Sequence, residues 1–282
     1  MNKSKKGFSF EFFPPRTAAS EEKLRIIRDR LAKLQPSFFS VTYGAGGSTQ
    51  EKTFETVVDI RSNTGADAAP HLSCIGSSTE QLRQVLTRYQ ENELRHIVAL
   101  RGDLPSGSVG TGSLRYANEL VEFIRKERGD YFHIDVACYP EFHPQSQTAS
   151  QDLQNFKRKV EAGANSAITQ YFYNVDAYFR FMDSCEQLGI DIPIVPGVMP
   201  IINYTQLARF SATCGAEIPR WILQRLQDYG DDRKAIMEFG VDVTSVLCQK
   251  LLDGGAPGLH FYTMNQADAT EQIWQNLGLK QA

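Results

Sequence analysis

Phe8-Ser9-Phe10-Glu11-Phe12-Phe13, running into Pro14-Pro15-Arg16, is the stretch on which the fold turns. Its aromatic content marks a β-strand, and period-two alternation sets Phe8, Phe10 and Phe12 on one face and Ser9, Glu11 and Phe13 on the other. The turn that follows has two prolines and no glycine. It therefore lacks the glycine fingerprint with which an open, doubly wound sheet binds a dinucleotide at its first strand-to-helix turn. Outward from this stretch, runs rich in β-branched and aromatic residues recur at 38–43, 68–75, 97–101, 133–139, 167–172, 192–198 and 259–264, eight with the first. The early ones start about 30 residues apart, the length of a strand plus a crossover helix. Amphipathic stretches lie between them, with start signals at Ser20, Ser78 and Ser150. Near-continuous apolar strands such as Ile97-Val98-Ala99-Leu100 suit a parallel sheet covered on both faces. Eight units and that first turn predict an α/β protein, a single (β/α)8 (TIM) barrel, with extra helices between strands seven and eight near 208–226 and 233–252.

The chain has 282 residues, enough to bury about three quarters of its unfolded surface without a disulfide or metal staple. No linker or shift in composition divides it, so residues 1–282 are expected to form one catalytic barrel domain, with 1–6 as a frayed, solvated tail. A formal net charge of −3 argues against a nucleic-acid or membrane-surface partner, both of which need a concentrated basic footprint. No apolar run is long enough for a signal peptide or a membrane span. The five cysteines are odd in number and form no C-x-x-C pair, so buried reduced thiols and a cytoplasmic location are expected.

Active sites of such barrels sit at the C-terminal ends of the strands. The residues that stand there are polar: Glu11, Thr42-Tyr43-Gly44, His71, Arg101-Gly102-Asp103, Tyr139 with Glu141 and His143, and Gln170. A carboxylate enclosed by aromatic surface has a raised pKa, which suits Glu11 as a general acid near neutral pH. A structural carboxylate held by backbone donors or an arginine explains the same pattern. Arg101-Gly102-Asp103 combines close backbone approach with two charges, or is a tight turn with a surface ion pair. Gly44-Ala45-Gly46-Gly47-Ser48-Thr49 offers N–H groups at a helix start, yet is neither a P-loop nor G-x-G-x-x-G. Asp152, Asn155 and Lys159, with Arg158 adjacent, share a helix face suited to a pyrophosphate and ribose; a solvated outer face has the same spacing. His71 and His143 have no partner at metal-ligand spacing, and no metal is expected.

Several of these stretches, in order along the chain, are similar to the bacterial methylenetetrahydrofolate reductase family: Phe8 to Pro15, Ser40-Val41-Thr42-Tyr43-Gly44-Ala45, Ala69-Pro70-His71-Leu72, His96 to Asp103, Tyr139-Pro140-Glu141, Lys157 to Ala164 and Phe261-Tyr262-Thr263-Met264-Asn265. The resemblance implies an FAD-dependent oxidoreductase of one-carbon metabolism and methionine supply. NADH or NADPH would reduce the flavin, leave, and be replaced by 5,10-methylenetetrahydrofolate, which becomes 5-methyltetrahydrofolate. It further implies a homo-oligomer and no C-terminal regulatory domain. Glu11 matches the family acid that assists opening of the five-membered folate ring, and Asp103 the aspartate near the flavin pyrimidine edge that also contacts the pterin. Thr42, Tyr43, Ala45, His71, Arg101, Gly102, Tyr116, Ala117, Tyr139, His143, Ser146, Asp152, Asn155, Arg158 and Lys159 fall on positions that line FAD. Thr42, Gln170, Gln206 and Phe210 fall on positions for folate or nicotinamide, with Phe210 a candidate stacking ring.

One departure stands out. Where the family carries an arginine after the last strand for the glutamate tail of folate, this chain has Gln266, whose neutral amide cannot make a bidentate charged contact with a carboxylate. The nearest alternative reading is a barrel flavoenzyme of the proline dehydrogenase type. A non-catalytic barrel that binds folate or flavin is the other, since fold alone is silent on function.

Overall fold

The computed structural model describes residues 6–43, 47–102 and 112–279. Its strands are β1 (Gly7–Phe12), β2 (Phe38–Val41), β3 (Asp67–Ser73), β4 (His96–Leu100), β5 (His133–Cys138), β6 (Ser166–Thr169), β7 (Ile194–Val195), β8 (Gly197–Val198) and β9 (Gly258–Tyr262). Every pairing is parallel, in the order β7-β6-β5-β4-β3-β2-β1-β9-β8. Helices α1 (Ala18–Ala32), α2 (Gly47–Thr64), α3 (Thr79–Glu91), α4 (Ala117–Arg128), α5 (Ala149–Glu161) and α6 (Val175–Gln187) follow the first six strands in turn. Three more, α7 (Tyr204–Cys214), α8 (Arg220–Tyr229) and α9 (Arg233–Asp253), separate β8 from β9, and α10 (Asp268–Asn276) follows β9. The result is a nearly closed α/β barrel.

The expected seventh strand is two short ones. Pro196 interrupts it, having no N–H to give a ladder. β7 pairs with β6 and β8 with β9, so the interrupted segment brings the two ends of the sheet together. At Gly197 an added Cβ would lie 2.2 Å from Thr169 O and 2.6 Å from the Tyr262 ring, so only glycine lets β8 pass there. The expected helical stretch at 208–226 is likewise two helices. Gly215, left-handed at φ 77°, ends α7, and Pro219 precedes α8. The N-caps of α1, α3 and α5 are Thr17, Ser78 and Thr148, so Ser78 alone of the expected start signals is a cap. Ser20 instead completes a capping box, its hydroxyl accepting from the Thr17 N–H at 3.0 Å. Lys6, expected in the frayed tail, donates to Leu252 O at 2.7 Å.

The alternation of β1 is realised as read. Phe10 and Phe12 point outward into the main core, where Phe12 stacks on Phe39 and Phe10 packs near Trp274. Ser9 and Glu11 point into the barrel. Ala69, Val98 and Ile168 form a small apolar cluster inside it. One inward step along their strands toward the C-terminal rim come His71, Leu100 and Gln170. One step back, on β4 and β6, come His96 and Ser166. Two polar layers are thus separated by an apolar one.

Candidate functional site

A cavity of about 890 Å³ opens at the C-terminal rim, and Glu11, Thr42, Tyr43, His71, Gly102, Tyr139, Gln170 and Phe210 all line it. These are residues from six strands or the loops after them and one helix, so the convergence read from the sequence is real for this set. Glu11 is held from behind. Thr263 donates to its carbonyl at 2.6 Å, and the Asn265 side chain pairs with both the N–H and the carbonyl of Phe13, at 2.8 and 2.9 Å. These contacts fix the exit of β1 against the loop after β9.

The Glu11 carboxylate is 9% exposed and lies between two imidazoles, with Oε2 3.3 Å from His71 Nε2 and 3.5 Å from His260 Nε2. Neither contact has hydrogen-bond geometry, so both buried nitrogens are without a hydrogen-bond partner. His260 is oriented from its other side, where Nδ1 and Ser9 Oγ are 2.7 Å apart. The raised pKa expected of Glu11 is overturned. Burial does push it up, but His71 and His260 together outweigh burial and bring it to about 2. The physical reason lies in the strand period: the phenylalanines that were to enclose the carboxylate face the helices, and inside the barrel its neighbours are histidines.

Gly102 sits at φ 83°, where an added Cβ would fall 1.9 Å from Ser73 Oγ, so the end of β4 can close on β3 only with glycine there. Arg101 turns away to Gln145 Oε1 at 2.6 Å. Tyr139 and His143 meet edge to face at 4.7 Å. Asp152 accepts from the His143 N–H at 3.1 Å and from Ser146 Oγ at 2.9 Å, which ties the loop after β5 to the first turn of α5. Asn155 accepts from Arg158 at 3.0 Å, and Arg158 lines a groove between α4 and α5, away from the rim cavity. Lys159 donates to Ala137 O at 2.5 Å, and burial lowers its pKa. Tyr116, exposed, and Ala117, half-buried, form the start of α4. Gln206 lies in the first turn of α7 without lining the cavity, whereas Phe210, one turn on, does. Gln266 is exposed. Ala45 and Asp103 lie outside the described residues.

Three contributors escaped the sequence reading: His260, Ser9 and Tyr262, whose hydroxyl donates to Thr169 O at 2.7 Å beneath the cavity. A signal existed, since alternation within 259–264 places His260, Tyr262 and Met264 on one face. The expectation of no metal rested on spacing along the chain. The fold gathers His96, His133 and Asp135, which that spacing does not reveal.

A parallel α/β barrel with a polar, partly enclosed cavity at its C-terminal rim is the architecture of a barrel enzyme. The model of the methylenetetrahydrofolate reductase family matches residues 1–278. The chain is 44% identical over 272 residues to the 5,10-methylenetetrahydrofolate reductase of Escherichia coli K12, covering 96% of this chain and 90% of the relative. It is 38% identical to methylenetetrahydrofolate reductase (NADH) 1 of Zea mays, again over 96% of this chain but only 48% of the relative. The chain belongs to the methylenetetrahydrofolate reductase family. Among solved structures, an uncharacterized Clostridium thermocellum protein that binds two copies of 5-methyl-5,6,7,8-tetrahydrofolic acid superposes with a TM-score of 0.68 at 15% identity, covering 98% of this chain and 95% of that one. That likeness supports the fold. Among the described residues no helix is long and apolar enough to cross a membrane.

Proposed function

We propose that this chain reduces 5,10-methylenetetrahydrofolate to 5-methyltetrahydrofolate, with FAD held in the rim cavity and NADH or NADPH as the hydride donor. Family membership supports the reaction class. The observation that carries the site is the Glu11 carboxylate, buried beside the cavity between two imidazoles whose Nε2 atoms lack hydrogen-bond partners.

The residues present fit a flavin. The cavity volume is in the range of cofactor pockets, Gly102 presents backbone without a side chain, and Thr42, Tyr43, His71 and Tyr139 bring polar and aromatic groups to the wall. Thr42, Tyr43, His71, Gly102 and Tyr139 would hold the ring system, with Gln170 and Phe210 left for folate or nicotinamide. The remaining FAD-lining positions named from the family, Asp103 among them, belong to the same proposal. When bound, a flavin would supply hydride transfer between the nicotinamide and the folate, which would then use the site in turn.

The chain's own contribution is the proton. Opening the folate ring requires protonation of a departing amine nitrogen. Glu11 is ionised in the arrangement described, so it would have to take up a proton before it could serve as the acid, with His71 and His260 beside it. Ser9 fixes which nitrogen of His260 faces Glu11. The same proposal includes a homo-oligomer in the cytoplasm, read by sedimentation and by fractionation.

An absorbance spectrum of the purified protein, followed by anaerobic addition of NADH or NADPH and then of methylenetetrahydrofolate, tests the reading. A flavin band bleached by the nicotinamide and restored by the folate is the expected sequence. A colourless protein, or a bleached one that the folate cannot reoxidise, would overturn it.

A further inference from the structure

We propose that the N-terminal end of the barrel, opposite the rim cavity, carries a binding site for a single divalent transition ion of the zinc type, formed by His96 Nε2, His133 Nε2 and the Asp135 carboxylate. The three ligating atoms lie within 4.8 Å of one another. They come together through sheet register. His96 on β4 is the partner of His133 on β5, and Asp135 is the next inward residue of β5. No sequence motif announces this, because the two histidines belong to different strands.

Zinc is held by imidazole nitrogen and carboxylate oxygen in tetrahedral sites, and a four-coordinate ion with bonds of about 2.0–2.1 Å sets its ligand atoms roughly 3.3 Å apart. His96 Nε2 is 2.7 Å from Asp135 Oδ2, and His133 Nε2 is 3.7 Å from Asp135 Oδ1. The two contacts use different oxygens of Asp135, and the three ligand atoms lie within 4.8 Å of one another, so seating an ion draws the side chains together about one carboxylate oxygen. Coordination then replaces the present His96–Asp135 hydrogen bond and the 2.7 Å contact of His133 Nε2 with Ser166 Oγ. Ser166 Oγ donates to Asp135 Oδ1 and steadies the carboxylate.

Asp67 Oδ2 lies 3.8 Å from the second nitrogen of His96, Nδ1, beyond hydrogen-bond reach but close enough to add negative charge behind the imidazole. The Phe38 ring packs 4.2 Å from the His96 ring and forms an apolar wall. Asp135 is 3% exposed, while the His133 side chain is 47% exposed, so the site has a way in and room for water as a fourth ligand. A dication seated here would stand against the carboxylate of Asp135, with that of Asp67 behind His96. The ion's role is structural, tying β4 to β5, and it is independent of the rim chemistry.

The test is titration of chelator-stripped, full-length protein with Co²⁺ alone, then Zn²⁺. One equivalent of cobalt should produce the visible bands of a four-coordinate ion, and zinc should bleach them and raise the melting temperature. His133→Gln changes an exposed residue and should fold with an unaltered metal-free melting temperature. It should lose cobalt binding by more than the roughly tenfold expected of Asp67→Asn behind His96. No stoichiometric cobalt binding by the parent protein, binding undiminished in His133→Gln, or a thiolate-to-cobalt band placing the ion on a cysteine would each overturn the proposal.

Discussion

The two ends of the barrel hold the same set of three groups, one buried carboxylate and two histidines, and treat them in opposite ways. At the rim, Glu11 has His71 and His260 at 3.3 and 3.5 Å, neither hydrogen-bonded, and their Nε2 atoms have no hydrogen-bond partner. At the floor, Asp135 accepts from His96 at 2.7 Å and from Ser166, and His133 Nε2 pairs with Ser166 Oγ at 2.7 Å. Buried polar groups normally have partners, because an unmet one costs about 1–3 kcal/mol. The rim therefore holds its carboxylate and imidazoles together by charge rather than by hydrogen bonds, beside an 890 Å³ cavity whose wall includes Glu11 and His71. At the floor the protein groups meet one another's needs in the metal-free state, so an ion there has to displace the His96–Asp135 and His133–Ser166 hydrogen bonds and acts as a tie between strands, whereas the rim faces an open cavity.

The largest effect that can break this comparison is at Glu11. Glu11→Gln keeps the shape but cannot cycle a proton, so folate reduction should fall about a thousandfold. Reduction of the flavin by NADH should persist, because no proton from Glu11 is needed there. Stopped-flow measurement of the two half-reactions separates them, and equal loss of both would remove Glu11 from the acid role. At the floor the corresponding change acts on stability. Asp135→Ala strands the buried His96 imidazole and the Ser166 hydroxyl and should cost about 3 kcal/mol in denaturant unfolding, with the intrinsic activity of the folded fraction unchanged. Acid unfolding distinguishes the two ends further, since both carboxyls are held below their ordinary values. The Glu11 contribution is present above its unfolded value of 4.5 and is lost as pH falls through about 2. That of Asp135 persists lower still, because His96, His133 and Ser166 together outweigh a burial that raises it. Asp135→Ala should thus flatten the acid limb of stability more than Glu11→Gln does.

How much of this was legible in the sequence follows from the range of each interaction. β1 to β6 and β9 are short apolar or alternating runs, and strand character is local, so they could be read directly. The break at Pro196 was also written in the sequence, inside a run taken as one strand. Glu11 and His71 were found because each stands at the end of a recognisable strand. The protonation state of Glu11 was misread because it depends on His260, which reaches β1 only when the barrel closes, Ser9 and His260 being 251 positions apart. The floor cluster was missed for the same reason. Its histidines pair by register between β4 and β5, and register is a property of the sheet.

A smaller effect sharpens the rim. Ser9→Ala removes the group 2.7 Å from His260 Nδ1 and should cost about 1 kcal/mol of stability. Its more telling signature is kinetic. With the ring of His260 no longer held at Nδ1, the pH profile of the folate half-reaction should shift while that of the NADH half-reaction stays in place. Profiles that move together would show that Ser9 acts on packing alone.

The smallest effect belongs to the loop beyond the rim, where ligand selectivity can change without touching either polar cluster. Gln266 is exposed on the loop after β9, next to Asn265, which clamps Phe13. Gln266→Arg adds a planar cation able to hold a carboxylate by two parallel hydrogen bonds, which an amide cannot do. At an exposed position such a contact is worth about 1 kcal/mol or less, so folate affinity should tighten severalfold. The gain should fade as salt screens it, and stability should stay as it was. An affinity that does not change, or one that tightens equally for a folate lacking its glutamate tail, would show that the tail is held by another group and that Gln266 is not where this chain's selectivity departs from its family.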